Sequence, residues 1–190
     1  MNLRNRRGFT LIEVIVVAAI IAILAGVLVP MIFNQIDESK ISKAKGDCKS
    51  IQSALLAVRK DVGKWPSQRA IGTNASVLYG LAPATAFVEP AELAGLGFTT
   101  TSPVSLADSL VKKDSDTYDA TNTTWKGPYM PGLSADPWEK PYIVDGVGLD
   151  DTTTVPPVPV WVLSAGPDGI FQTAKGADTL AGDDIGVRIK

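Results

Sequence analysis

The sequence contains no histidine and a single cysteine, Cys48, in 190 residues. Those two scarcities remove a large share of enzyme chemistry. A Ser-His-Asp triad, a Cys-His pair and any histidine-ligated metal centre cannot be built from this chain. One thiol cannot form an internal disulfide, which excludes the disulfide-stapled secreted scaffolds. A metal would have to be held by oxygen, and oxygen donors favour calcium or magnesium over zinc. Strong charge of either sign is also missing. With 18 basic and 20 acidic side chains the net charge is −2, which gives no electrostatic footprint for nucleic acid. No glycine-rich phosphate loop follows a strand in the required context.

Apolar sequence, by contrast, is abundant at 45% of residues, and it is concentrated near the N-terminus. Residues 1–8 carry Arg4, Arg6 and Arg7 and no acid; from Phe9 to Phe33 the chain is almost wholly apolar, with Glu13 as the lone ionisable group. That run is long enough to cross a bilayer as a helix. Positive charge on its N-terminal flank predicts that the short end stays in the cytoplasm and the remainder is exported. A cleavable secretory signal has a shorter apolar core and a small-x-small cleavage site. Here the apolar run leads straight into polar helical sequence, so it reads as a retained anchor. A carboxylate in hydrocarbon costs about 2.5–3.5 kcal/mol on insertion scales, which makes Glu13 a functional candidate. Snorkelling, protonation or an amine from another chain would each accommodate it.

Beyond the anchor, Ile41, Ala44, Cys48, Ile51, Leu55, Val58 and Val62 recur at alternating spacings of 3 and 4. This is one apolar stripe on a helix. Gly63 and Trp65-Pro66 end it. A single helix from Thr10 to Val62 is expected, with a kink or local melting between Ala22 and Pro30, where Pro30 lacks an N–H and crowds the preceding turn. The stripe is read as packing against a sheet, with Cys48 as a buried small hydrophobe rather than a reactive thiol. Residues 67–115 show no motif and are read as a variable insertion with turns; Ala91 to Leu96 and Leu106 to Lys113 are candidate short helices. The C-terminal third reads as β structure in Tyr142 to Val144, Val158 to Leu163 and Ile185 to Ile189, with Pro156, Pro157 and Pro159 delaying the second strand until Val160. Short connections favour an antiparallel sheet. The expected fold is α+β, a long N-terminal helix whose second half packs on a small antiparallel sheet. Trp65, Trp125, Tyr129, Trp138, Tyr142 and Trp161 are read as core and turn packing.

The stretch Arg7-Gly8-Phe9-Thr10-Leu11-Ile12-Glu13-Val14 resembles the type IV prepilin signature. In that family a prepilin peptidase cuts after the glycine, and the new N-terminal phenylalanine is methylated. The resemblance implies processing between Gly8 and Phe9, with residues 1–8 as leader, 9–33 as transmembrane assembly helix, 34–63 as its amphipathic continuation and 64–190 as a globular head. Pro30 falls where family members carry a proline in the anchor. Losing the three leader arginines leaves 15 basic against 20 acidic side chains, a net charge of −5. The exposed Phe9 amine is then an apt partner for the Glu13 carboxylate of a neighbouring subunit. Glu13 and Pro30 are therefore the assembly candidates.

Further along, Trp125-Lys126-Gly127-Pro128-Tyr129, Asp136-Pro137-Trp138-Glu139-Lys140-Pro141-Tyr142, Ser164-Ala165-Gly166-Pro167-Asp168-Gly169 and Asp183-Asp184-Ile185 occur in an order that is similar to the major pseudopilins of type II secretion. Glu139 replaces their usual glycine, the loop from Gly169 to Gly182 is longer, and the insertion at 67–115 enlarges the head. By composition the loop carrying Asp168, Asp178, Asp183 and Asp184 is either a solvated acidic turn or an oxygen-donor cation site. The resemblance implies calcium there, held by the carboxylates of Asp168, Asp183 and Asp184 and the backbone carbonyl of Ala165. It also implies a filament subunit anchored in the inner membrane with its head in the periplasm. Its partners would be further copies of itself, the prepilin peptidase, an inner-membrane assembly platform and minor pseudopilins. The alternatives are an extracellular type IV pilin for adhesion, motility or surface contact and, from a different class, a membrane-anchored enzyme, for which nucleophile-base sets are lacking.

Overall fold

A computed structural model describes residues 8–68, 74–80, 89–113, 118 and 123–190. One helix, α1 (Leu11–Val62), runs through two compact units, Met1–Lys40 and Ile41–Lys190. In the first unit the helix is apolar on all sides from Val14 to Phe33, and every described side chain from Phe9 to Ile36 is exposed. Its most apolar 18-residue window has a mean hydropathy of 3.0, which suits lipid rather than water. Helical backbone continues through Gly26 and Pro30, so of the kink or local melting expected between Ala22 and Pro30 the melting is absent. A proline removes one ladder hydrogen bond, and the bonds on either side suffice to keep the turn helical.

The second unit holds every residue of both core clusters and so carries a complete core of its own. Its part of α1 buries Ala44, Cys48, Ile51, Leu55 and Val58 of the apolar stripe together with Ala54, while the stripe's ends, Ile41 and Val62, are only half-buried. The stripe covers one face of a five-stranded sheet ordered β2-β1-β3-β4-β5, made of β1 (Val77–Gly80), β2 (Pro103–Ser105), β3 (Tyr142–Asp145), β4 (Trp161–Ser164) and β5 (Ile185–Arg188). The two-residue period of a strand sends neighbours to opposite faces. Leu78, Val144 and Val162 accordingly point to the helix, whereas Val77, Ile143 and Leu163 point to a second cluster with Leu93, Phe98, Ala165 and Phe171. Both faces of the sheet are therefore covered.

Two expectations are corrected. The sheet is mixed: β1 pairs antiparallel with β3, but parallel with β2 in the register Val77 to Pro103. The insertion, read as turns, supplies β1 and β2. Both strands are too short for alternation to show, and Pro103 opens an edge strand, where a missing N–H is tolerated. Of the two candidate helices, Leu106–Leu110 forms α2, capped by the Ser105 hydroxyl that accepts from the Asp108 N–H. Residues 91–97 make successive turns that end at Gly97 with φ +85°. A further short helix, α3 (Gly146–Asp150), follows β3 and has no counterpart in the sequence reading.

Polar contacts fix α1 on the sheet. Tyr142 donates its hydroxyl to Asp47 at 2.8 Å, and the Gln52 amide donates to the Arg188 carbonyl at 2.6 Å. Burial, reinforced by Asp47 and Asp136, pushes the Cys48 thiol up to about 12. The thiol stays protonated and unreactive at neutral pH.

The Asp136–Lys140 turn is strained at one point. Asp136 is buried and accepts from the N–H groups of Trp138 and Lys140 and from the Ser164 hydroxyl. This closed set of bonds forces Glu139 to φ 66°. A left-handed residue with a Cβ costs about 1–2 kcal/mol, and glycine gives back about 0.5–1 kcal/mol through its greater freedom when unfolded. Glu139→Gly is therefore expected to raise the stability of the head by about 0.5–1 kcal/mol, read from the urea midpoint. An unchanged or lower midpoint would show that Glu139 makes compensating contacts.

Candidate functional site

The candidate assembly segment lies in the first unit. Thr10 precedes α1, and Glu13 occupies its first turn. The Thr10 N–H and hydroxyl both donate to Glu13 Oε2, at 2.9 and 2.8 Å, and the Glu13 N–H donates to the Thr10 hydroxyl at 3.4 Å. This reciprocal pair is a capping box, which satisfies otherwise orphaned donors at a helix start. It also gives the carboxylate a place at the positive end of the helix dipole. The sequence carries the signal, Thr-x-x-Glu ahead of an apolar run. Snorkelling, protonation and an amine from another chain, the three accommodations expected for Glu13, all overlook Thr10. Gly8 and Phe9 lie before the helix and are exposed, and Pro30 lies within it.

The acidic loop lies in the second unit, between β4 and β5. Ala165 follows β4 in the buried second cluster, and Gly166 turns the chain with φ +67°. A Cβ on Gly166 would come within 2.2 Å of the Asp183 carbonyl oxygen, so only glycine lets the two ends of the loop close. Asp183 Oδ2 then accepts from the Asp168 N–H at 2.9 Å. Asp184 is buried, and its Oδ2 accepts from the N–H groups of Gln172 and Thr173, at 2.9 and 2.6 Å. Asp168 is exposed and accepts from the Ile170 N–H and the Gln172 side-chain amide. Asp178 is exposed.

Asp168, Asp183 and Asp184 thus belong to one small loop. No three histidine, cysteine, aspartate or glutamate side chains converge on a metal position among the described residues. Two features nevertheless fit a hard cation. The remaining oxygens, Asp183 Oδ1 and Asp184 Oδ1, are buried without a hydrogen-bond partner. A buried, unsatisfied carboxylate oxygen is costly, and a cation removes that cost. Burial, with a smaller contribution from the Asp183 charge, also pushes the Asp184 carboxyl above the usual carboxylate range, against the downward pull of the Thr173 and Gln172 hydrogen bonds. The loop therefore holds negative charge at a penalty. Gln172 and Thr173, which organise Asp184 and Asp168, have no signature in the sequence; a glutamine and a threonine in a polar loop are unremarkable until the loop closes.

The comparisons with known proteins agree with the anchor and the head. Residues 3–29 match the family described as the prokaryotic N-terminal methylation motif. With the long helix on a small sheet, this places the chain among the type IV pilin-like proteins, and the apolar helix makes it membrane-anchored. The type II secretion system core protein G of Pseudomonas aeruginosa is 31% identical over 142 residues, 75% of each chain. The core protein G of Escherichia coli is 27% identical over 169 residues, 89% of this chain and 87% of the relative. A fimbrial protein of Eikenella corrodens is 33% identical over 75 residues, only 40% of this chain. The chain belongs to the type II secretion system core protein G family and is a structural subunit of the pseudopilus kind. The fimbrial likeness covers much less of it, which leaves the pilin alternative the weaker one. No solved structure gives a significant match.

Proposed function

We propose that this protein is the subunit from which a periplasmic secretion filament is built, held before assembly in the inner membrane by α1. The observation that carries this reading is the fully exposed apolar surface of the first unit, capped at its start by the Thr10–Glu13 box. Such a surface needs lipid around it or other copies of the same helix. Once the leader is cut by the prepilin peptidase, anchors leave the bilayer and bundle, and a head-to-tail contact that does not close on itself yields a helical filament. The assembly platform and minor pseudopilins are the partners this role requires, and growth of the filament acts on the exported protein as a piston or screw. The role is structural rather than catalytic.

Cleavage between Gly8 and Phe9 is the step to test first. Gly8→Leu places a branched side chain at the junction and is expected to leave a membrane-bound precursor heavier by residues 1–8. Mass spectrometry of the purified protein checks this, and a mature chain starting anywhere but Phe9 overturns it. Imaging of filament length and location separates the secretion role from an extracellular pilus.

We propose further that the acidic loop binds calcium, with the carboxylates of Asp183 and Asp184 as its core, Asp168 completing the charge and the Ala165 carbonyl available as a neutral donor. Calcium accepts six to eight oxygens in flexible geometry, which suits a glycine-rich loop. The bound ion would supply positive charge to the orphaned oxygens and tie the start of the loop to its end.

A further inference from the structure

We propose that Lys175 is the positioning residue of the acidic loop, a strap that holds Gln172 and Thr173 against Asp184 and so sets the loop's affinity for calcium. The proposal rests on the calcium reading for its consequence, but its geometry stands without a metal.

Lys175 is fastened at both ends. Its N–H donates to the Leu96 carbonyl at 2.9 Å, within the turns that the insertion contributes. Its ammonium group lies 3.3 Å from Asp145 Oδ2, with the two side chains only 25% and 5% exposed. Asp145 ends β3 and caps α3, where the same Oδ2 accepts from the Gly148 N–H at 2.9 Å. One residue therefore ties the loop to the insertion, to the sheet and to a helix start. Neighbouring contacts close the same seam. Phe171 donates its N–H to Glu92 at 3.1 Å, Trp161 donates its indole N–H to the Ala177 carbonyl at 2.8 Å, and Phe171 itself is buried with Leu93 and Phe98. A Cβ on Gly176 would meet Val158 at 2.6 Å, which shows how closely the chain beside Lys175 is pressed to the head.

The strap reaches the candidate ligands by a short path. Thr173 lies two residues before Lys175; its N–H holds Asp184 Oδ2, and its hydroxyl accepts from the Ala181 N–H at 3.0 Å. Releasing Lys175 frees the segment that presents both donors to Asp184. The Asp184 carboxylate then loses the two bonds that aim its orphaned oxygen. Asp145 has an orphaned oxygen of its own, Oδ1, so its charge depends heavily on the lysine. The insertion at 67–115 thereby gains a definite role, since it supplies Glu92 and Leu96, the acceptors against which the longer loop is fastened.

The test uses the fragment from Asp37 onward, which contains the whole self-cored unit. Lys175→Met removes the ammonium group and keeps the stem. Lys175→Met with Asp145→Asn also removes the buried charge left behind, and so guards against simple unfolding. Lys175→Arg restores a cation. Amide hydrogen exchange in chelator is followed at Gln172 and Thr173, with amides of β3 and β4 as the control for folding. Both methionine variants are expected to exchange at least tenfold faster at Gln172 and Thr173 with the controls unchanged, and the arginine variant to recover most of the protection. Calcium affinity, measured by titration calorimetry, is expected to weaken tenfold in the same two variants. Unchanged protection at Gln172 and Thr173 in the folded double variant overturns the strap. Faster exchange together with no calcium heat in the unsubstituted fragment sinks the calcium reading and leaves the strap standing; faster exchange with unaltered affinity removes its role in binding.

Discussion

Glu13→Ala is expected to abolish filament assembly while leaving the protein inserted in the membrane. Two effects coincide at this residue. Half of the capping box is lost, because the alanine cannot return a bond to the Thr10 N–H, while the Thr10 hydroxyl can still accept from the backbone N–H at position 13. The negative charge that would meet the Phe9 amine of a neighbouring subunit is lost as well, and in a low-dielectric setting one partner removed from an ion pair strands the other. Insertion itself becomes easier, since a costly carboxylate leaves the apolar run. Glu13→Gln separates the two effects. Glutamine at the same place keeps a capping box but carries no charge. If the interchain amine is the partner, Glu13→Gln should assemble as poorly as Glu13→Ala, with at least a tenfold loss of sheared or crosslinked filament, or about 1.4 kcal/mol per contact. If Glu13→Gln assembles normally and only Glu13→Ala fails, the carboxylate serves its own helix and the ion pair between subunits is discarded. The assay needs a strain with no unsubstituted copies, because a mixed filament would mask the defect.

This end of the molecule is readable from sequence because its signals are local. A basic flank, a Gly-Phe junction and an apolar run need no tertiary partner to be recognised, and the stripe from Ile41 to Val62 repeats often enough to define a helix face. The strands of the C-terminal third are legible for a similar reason: Tyr142 to Val144 and Trp161 to Leu163 are apolar on consecutive positions, as strands covered on both faces must be. What stays hidden depends on distance along the chain. Val77 to Gly80 becomes a strand by lying between Pro103 to Ser105 on one side and Tyr142 to Asp145 on the other. No pattern in so short a segment announces that position. The acidic loop is visible as four aspartates, but composition does not say which oxygens bond to backbone and which are left over. That division depends on Gly166 closing the loop and on Gln172 and Thr173 facing Asp184, and both are products of the folded chain.

The division of oxygens leads to the second large effect, in which calcium is expected to stabilise the head and two conservative substitutions to remove most of the response. Asp183 Oδ1 and Asp184 Oδ1 are buried, unpaired and adjacent along the chain. Without a cation their charges repel and neither oxygen is solvated, so the loop subtracts from stability. A bound ion converts both penalties into coordination and stabilises the folded state by RT ln(1 + [L]/Kd), about 2.7 kcal/mol at a hundredfold excess over Kd. For a head of this size that is a rise of roughly 5–10 °C in the melting temperature of the fragment from Asp37 onward. Magnesium should substitute poorly, because it keeps its waters and demands strict octahedral geometry. Asp183→Asn and Asp184→Asn retain an oxygen for the backbone donors of Asp168, Gln172 and Thr173 but remove a charge each. Both variants are expected to melt at or above the temperature of the unsubstituted fragment in chelator, since repulsion is relieved, and to lose most of the calcium-dependent rise. Melting curves of the three proteins in millimolar calcium and in chelator decide the matter. Curves that overlap for the unsubstituted fragment return the loop to an acidic turn. A calcium-dependent rise that survives in both asparagine variants moves the ion to other oxygens.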